Sequence, residues 1–256
     1  MECVLKEETI SPFLIIFKQY KNISEYISFY VYTDKLYIQN MDVNKICLCE
    51  ITINAQWFDS YTTELDSDND SLTFHIKSET LSKILSTYES GQTVKLKLVK
   101  NDKFIMTFCH ESNKNTFRIP LQEITGELIQ LNGTDYDLSF KLKTKKFESY
   151  CTQIGKSGSY IKIHCDENNI QFATNDVDIS MDIDIPINVL DYYDIVEDYV
   201  YTHTFDNKYF SIITGFKNIS ENVFAYLQTD NPLKLVYSVN NDLTIIFYIA
   251  PQIDNE

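Results

Sequence analysis

The chain has 256 residues, 44% of them hydrophobic and 14% aromatic, with 18 Tyr, 16 Phe, 6 Gly and 5 Pro. That length and apolar content allow a buried core and suit two domains, which excludes global disorder, and the wealth of aromatics with little Pro favours strands. The formal net charge is −15, from 37 acidic and 22 basic residues; this excludes a uniformly basic nucleic-acid-binding surface but leaves open a local basic face, because polyanion binding follows the distribution of charge.

Taken in chain order, Met1 to Ile10 carries acids and no long apolar run, and no stretch reaches the ~18 apolar residues of a membrane span. The sequence therefore predicts an intracellular protein with no membrane partner. Ile10, Phe13, Leu14 and Phe17 recur at helical spacing and predict a first short helix. Tyr26 to Tyr32, Leu36 to Asn40 and Lys45 to Ile53 read as strands. A second helical stripe follows at Leu81, Ile84, Leu85 and Tyr88, then strands over Val94 to Val99 and Phe104 to Cys109. The stretch from Ile119 to Asp135 lacks periodicity and reads as a linker. Phe147, Tyr150, Cys151 and Ile154 predict a third helix, with strands over Tyr160 to His164, Ile170 to Ala173 and Ser180 to Ile185. Tyr209, Ile212, Ile213 and Phe216 predict a fourth, with strands over Leu233 to Val239 and Leu243 to Ile249. A short helix followed by strands thus repeats four times, with a period of about 65 residues, as expected of units that cannot bury their faces alone.

The polar faces of the four stripes are rich in lysine. Lys18 and Lys21 accompany the first, Lys83 the second, Lys145, Lys146 and Lys156 the third, and Lys208 and Lys217 the fourth. Any surface helix carries lysines, but four with the same bias suggest a polyanion-facing surface on an otherwise acidic chain. Arg118 is the sole arginine, so contacts would be directed at phosphates and not at base edges.

Catalytic patterns are weak. Gly155, Lys156 and Ser157 end like a phosphate loop, but Tyr150 stands where that loop needs its first glycine. Cys47 and Cys49 have no second pair at metal-ligand spacing. The six cysteines read as reduced and mostly buried, and His75, His110, His164 and His203 are isolated from nucleophile motifs. The sequence predicts neither an enzyme nor a cofactor.

Several runs carry a family likeness. Leu36 to Asp42 (LYIQNMD), Cys47 to Ile53 (CLCEITI) and Phe58 to Tyr61 (FDSY) resemble the first-domain signature of the proliferating cell nuclear antigen family. Leu81 to Leu85 (LSKIL) resembles its second helix, and Pro232 to Leu235 (PLKL) with Phe247 to Asp254 (FYIAPQID) its C-terminal end. The resemblance runs in order along essentially the whole chain. It implies an α+β DNA clamp, the processivity fold. Two similar domains, each of two helix-plus-strands repeats, would assemble into a homotrimeric ring whose helices line a central hole. The division would be an N-terminal clamp domain over residues 1–118, an interdomain connector over 119–135 and a C-terminal clamp domain over 136–256.

The function so implied is that of a sliding clamp, a DNA polymerase processivity factor that encircles double-stranded DNA without sequence preference. Its partners would be a clamp loader and the polymerases and repair enzymes that carry a docking peptide, the PIP box, with a Gln and paired aromatics. Pore contacts would come from Lys18, Lys21, Lys83, Lys114, Lys145, Lys146, Lys156, Lys208 and Lys217. The peptide pocket would comprise Met41, Lys45, Ile46, Leu48, Ile129, Leu131, Tyr136, Pro232, Tyr248, Ile249, Ala250 and Pro251. Subunits would join edge to edge, a strand ending near Phe117 against one near Asp178, Ser180, Asp182 and Asp184. The place of work would be a nucleus or a cytoplasmic viral replication site.

The chain departs from the family pattern at several positions. Leu14, Ile15, Ser149 and Thr152 stand where basic residues are common, Lys45 stands where histidine is common, and Glu167 stands at the regulatory acceptor lysine. Two alternatives remain at this point. One is a monomeric or dimeric clamp-like factor that grips DNA without encircling it, and the other a scaffold that has lost the tether role.

Overall fold

A computed structural model of the protein describes residues 1–65, 71–99, 102–111, 113–125, 128–131 and 135–252. The chain forms two compact units. The first comprises Met1–Val43, Cys49–Ile129 and Val239–Ile245; the second comprises Asn44–Leu48, Gln130–Ser238 and Ile246–Glu256.

The first unit is built on β1 (Glu2–Leu5), α1 (Glu7–Gln19), β2 (Tyr26–Val31), β3 (Lys35–Met41), most of β4 (Cys47–Asn54), β5 (Phe58–Thr62), β6 (Leu72–Lys77), α2 (Ser78–Leu85), β7 (Thr93–Val99), β8 (Lys103–His110) and β9 (Asn113–Pro120). One antiparallel sheet runs β5-β1-β7-β8-β9, and β4-β3-β2-β6 form another run of neighbours. Strand β7 shows why: Val94, Leu96 and Leu98 are buried while Lys95 and Lys97 face solvent, the two-residue period of a half-buried strand. Helices α1 and α2 pack together. Between helix and sheet lies an aromatic cluster in which Phe29 stacks on Phe74 at 4.7 Å and Phe17 lies 5.8 Å from Phe29. Each such ring contributes ~1.5–3 kcal/mol by leaving water.

Two helical expectations in this unit need correction. In α1 the buried face is Thr9, Ile10, Phe13, Ile16 and Phe17, so Ile16 takes the place expected for Leu14. Both fit a helical face, and only packing chose between them. Helix α2 ends at Leu85, which leaves Tyr88 beyond it and half-buried against Phe108.

The second unit contains β10 (Leu138–Lys143), α3 (Thr144–Ser157), β11 (Tyr160–Cys165), β12 (Asn169–Asn175), β13 (Ser180–Pro186), β14 (Tyr192–Ile195), β15 (Tyr201–Asp206), α4 (Asn207–Ile213), β16 (Asn222–Leu227), β17 (Leu233–Val239) and β18 (Leu243–Ile249), whose last residues belong here. Its strands run β13-β12-β11-β15 and β14-β10-β16-β17-β18. Phe147, Cys151 and Ile154 of α3 are buried, and α3 packs on α4. The fourth helix ends at Ile213 and tightens into a 3-10 turn over Thr214–Phe216, so Phe216 reaches the core from that turn and not from the helix. Among the described residues, no helix is long and apolar enough to cross a membrane.

Candidate functional site

The lysines singled out in the sequence lie on or next to the helices, with one exception. Lys18 closes α1, Lys21 sits in the turn after it and Lys83 is exposed on α2. Lys145 and Lys146 are exposed in the first turn of α3 and Lys156 in its last. Lys208 opens α4, and Lys217 follows the 3-10 turn. Lys114 is the exception: it lies on β9, the edge strand of its sheet.

Ion pairing divides them. Lys83 pairs with Glu79 at 2.9 Å, Lys208 with Asp206 at 3.4 Å and Lys217 with Glu148 at 2.9 Å. The hydrogen bond and charge of Lys83 hold the Glu79 carboxyl below its ordinary range, with Lys21 and Lys77 adding to the effect. Among the described residues, Lys18, Lys21, Lys114, Lys145, Lys146 and Lys156 form no ion pair. The first turn of α3 holds no acid, whereas α1 has Glu7 and Glu8 there and α2 has Glu79. Two cations at the positive end of a helix dipole cost about 0.3–1 kcal/mol each, so this placement does not serve helix stability. It does concentrate positive potential where exposed N–H groups already favour an anion.

The residues implied for peptide docking divide between the units. Met41 and Ile129 belong to the first, and both have exposed or half-buried side chains. There the Gln39 side chain grips the Ile129 backbone: its Nε2 donates to the Ile129 carbonyl at 2.9 Å and its Oε1 accepts from the Ile129 N–H at 2.8 Å. Upstream, the Gln122 N–H donates to the His75 carbonyl at 2.9 Å, and β9 itself continues to Pro120. The stretch that reads as a linker is thus held at Gln122 and at Ile129. Gly126 and Gly133, which prompted that reading, lie outside the described residues.

Lys45, Ile46, Leu48, Leu131, Tyr136, Pro232, Tyr248, Ile249, Ala250 and Pro251 belong to the second unit. The Ala250 N–H donates to the Ile46 carbonyl at 2.9 Å, which ties the end of β18 to the Lys45 turn. Lys45 is exposed with φ at 59°. Tyr136, Pro232, Tyr248, Ala250 and Pro251 are half-buried, and Leu131 is exposed. Leu48 and Ile249, only 3% and 0% exposed, are core residues that back such a surface without offering it a contact.

The two strand edges proposed as a subunit seam carry opposite charge. Strand β9 exposes Lys114 and Arg118, with Phe117 half-buried against Phe108 at 5.5 Å. Strand β13 exposes Ser180, Asp182 and Asp184, and Asp178 lies in the turn before it. Each strand is terminal in its sheet order.

Sequence reasoning missed three features. Lys234 of β17 lies over the rings of Tyr136, Tyr226 and Tyr248. The alternation of β16 and β17 was a usable signal, but nothing in one chain's spacing says that these three rings meet. His75 and His164, which read as isolated, have hydroxyl partners: His75 Nδ1 lies 2.9 Å from Ser28 Oγ, and His164 Nδ1 lies 2.7 Å from Thr202 Oγ1. Both are cross-strand neighbours, invisible before strand pairing is known. Among the described residues, no three His, Cys, Asp or Glu side chains gather as a metal site would require.

Known proteins resemble this chain along its whole length. Residues 2–133 match the family model described as the N-terminal domain of proliferating cell nuclear antigen, and residues 130–252 match that of the C-terminal domain. A "Probable DNA polymerase sliding clamp" of Autographa californica nuclear polyhedrosis virus is 21% identical over 85% of this chain and 84% of its own. The proliferating cell nuclear antigen of Dictyostelium discoideum is 22% identical over 93% and 95%. Among solved structures, the crystal structure of the Entamoeba histolytica antigen superposes with a TM-score of 0.85 over 98% of both chains at 19% identity, which establishes a shared fold. With both domain models matched in order and the clamp fold in place, this chain belongs to the proliferating cell nuclear antigen family of DNA sliding clamps.

Proposed function

We propose that three copies of this chain close into a ring around duplex DNA and tether replication and repair enzymes to it. The action is topological. A closed ring leaves DNA only by opening or by running off an end, so its affinity for the duplex stays low enough for sliding. An enzyme held on the ring meets its template at high effective concentration, the source of processivity. The observation that carries this reading for this particular chain is the first turn of α3, which holds no acid and exposes Lys145 and Lys146, while the nearby Glu148 pairs with Lys217. In a chain of net charge −15, that placement supports a phosphate-facing helix surface on a molecule that repels nucleic acid elsewhere.

Partners would dock through the tyrosine- and proline-bearing surface of the second unit. Pro232, Tyr248, Ala250 and Pro251 offer apolar walls there, and backbone groups at the end of β18 can hold an extended or single-turn peptide. A clamp loader and peptide-bearing polymerases are the partners this reading implies, in a nucleus or at a viral replication site.

Retention on nicked circular against linear DNA tests the ring. Protein loaded on the circle should stay through a salt wash and be released when the circle is cut, while protein on linear DNA is lost at once. Reversing Lys145 and Lys146 to Glu should reduce retention and polymerase processivity several-fold with the trimer mass unchanged. Equal retention on both DNA forms would rule out encirclement.

A further inference from the structure

Three tyrosine rings of the second unit surround one ammonium group. Lys234 stands opposite Tyr226 in the β16–β17 pairing, and its Nζ is 5.3 Å from the Tyr226 ring centre, 5.5 Å from Tyr136 and 5.8 Å from Tyr248. All three distances lie within the ~6 Å reach of a cation–π contact. The Tyr136 and Tyr226 rings themselves meet at 5.5 Å. Among the described residues, no carboxylate pairs with Lys234. Burial pushes the Tyr136 and Tyr226 phenols above their ordinary value, so their hydroxyls stay neutral and supply no counter-charge.

Ring faces localise a cation without neutralising it. A carboxylate that arrives beside Lys234 gains a partner and displaces none. An arriving lysine or arginine meets like charge, and the rings it would use are already occupied. Elsewhere the chain's charge of −15 favours basic ligands. Lys234 reverses that preference at one spot, next to Pro232, Tyr136 and Tyr248 of the docking surface.

We propose that Lys234 is a specificity-determining residue of that surface: it selects partner peptides that place an Asp or Glu carboxylate, near their aromatic anchor, over the Tyr136–Tyr226–Tyr248 cluster. The proposal rests on the docking reading above. It names the chemistry of the partner at that point, an acidic residue where the acidity of the molecule as a whole would predict a basic one.

The test uses the full chain and a synthetic peptide with one Gln and a Phe-Phe pair, followed by fluorescence anisotropy. A single Glu or a single Lys is walked through the positions flanking the Phe pair. At one position or more, the Glu peptide should bind about threefold to fivefold tighter than the Lys peptide, as a partly exposed ion pair allows. Added salt should shrink the difference. Lys234→Met, which keeps most of the stem, should abolish it, and Lys234→Glu should reverse it. The same Glu-to-Lys ratio at every position in the unaltered protein and in Lys234→Met would overturn the proposal while leaving docking intact. Should the variants fail to fold, the walk in the unaltered protein decides alone, and a flat, salt-independent profile overturns it. A peptide that fails to bind, or that binds equally well with Ala-Ala in place of Phe-Phe, removes the docking reading and this proposal together.

Discussion

At the scale of single residues, the most exacting group in the first unit is a buried polar chain. Tyr20, fully buried, donates its hydroxyl to Asn40 Oδ1 at 2.7 Å, and the Ser28 N–H donates to the same oxygen at 2.9 Å. Asn40 Nδ2 donates to Ser28 Oγ at 2.9 Å, and His75 Nδ1 lies 2.9 Å from the same oxygen. Burial lowers the pKa of His75 from its ordinary 6.5. The linkage follows: below pH 6.5 the unfolded chain takes up a proton at this residue that the folded chain refuses, so stability falls as pH drops from 6.5 toward the lowered value and is full above 6.5. His75→Gln should flatten that part of the urea-midpoint profile. An unchanged slope would mean that His75 is not the group responsible. In the sequence Asn40 ended one expected strand and His75 lay outside any; only the pairing of β2 with β3 and β6 brings them onto one serine.

At the scale of elements, the helices were legible from spacing and their ends were not. Among the four, only α4 has a side-chain cap, Asp206, whose Oδ1 accepts from the Lys208 N–H at 2.9 Å. A helix of seven residues has little propensity to spare. Asp206→Ala should therefore cost about 1 kcal/mol, read as a lowered urea midpoint, whereas Asp206→Asn should cost much less. Asn keeps the cap and loses only the solvent-exposed pair with Lys208. Equal losses from both would assign the effect to the ion pair. Strands β10 and β16 were not delimited although they alternate, and β1, β5, β6, β14 and β15 were missed for a related reason. These five are short, and polar or mixed residues such as Thr73, His75, Thr202 and His203 interrupt their apolar alternation, so pairing with neighbours makes them strands more than local preference does.

At the scale of the whole molecule, the opposite charges of β9 and β13 bear on assembly. An edge strand with open backbone groups is a liability unless something pairs with it. A basic edge with Lys114 and Arg118, and an acidic one with Asp182 and Asp184, suit head-to-tail joining of identical chains, the type of contact that gives a ring where the rotation between neighbours closes. Light scattering on dilution should give a mass about three times the 29.9 kDa of the chain. Arg118→Glu and Asp182→Lys should each make the assembly dissociate at higher protein concentration, and the two together in one chain should restore part of the loss. Indifference to all three changes would place the seam elsewhere.

The sequence by itself determined the repeating order of short helix and strands, the lysine bias of the helices and, through motifs spread along its length, the family. These follow from local periodicity and residue order, which a linear chain carries openly. Tertiary structure alone decided which apolar residue of α1 turns inward and that Lys217 is tied to Glu148 of α3. It also gathered Ser28, Asn40 and His75 into one network and three tyrosines around Lys234. Each of those depends on side chains far apart in the chain meeting across paired strands or packed helices, and spacing within one segment holds no record of that meeting.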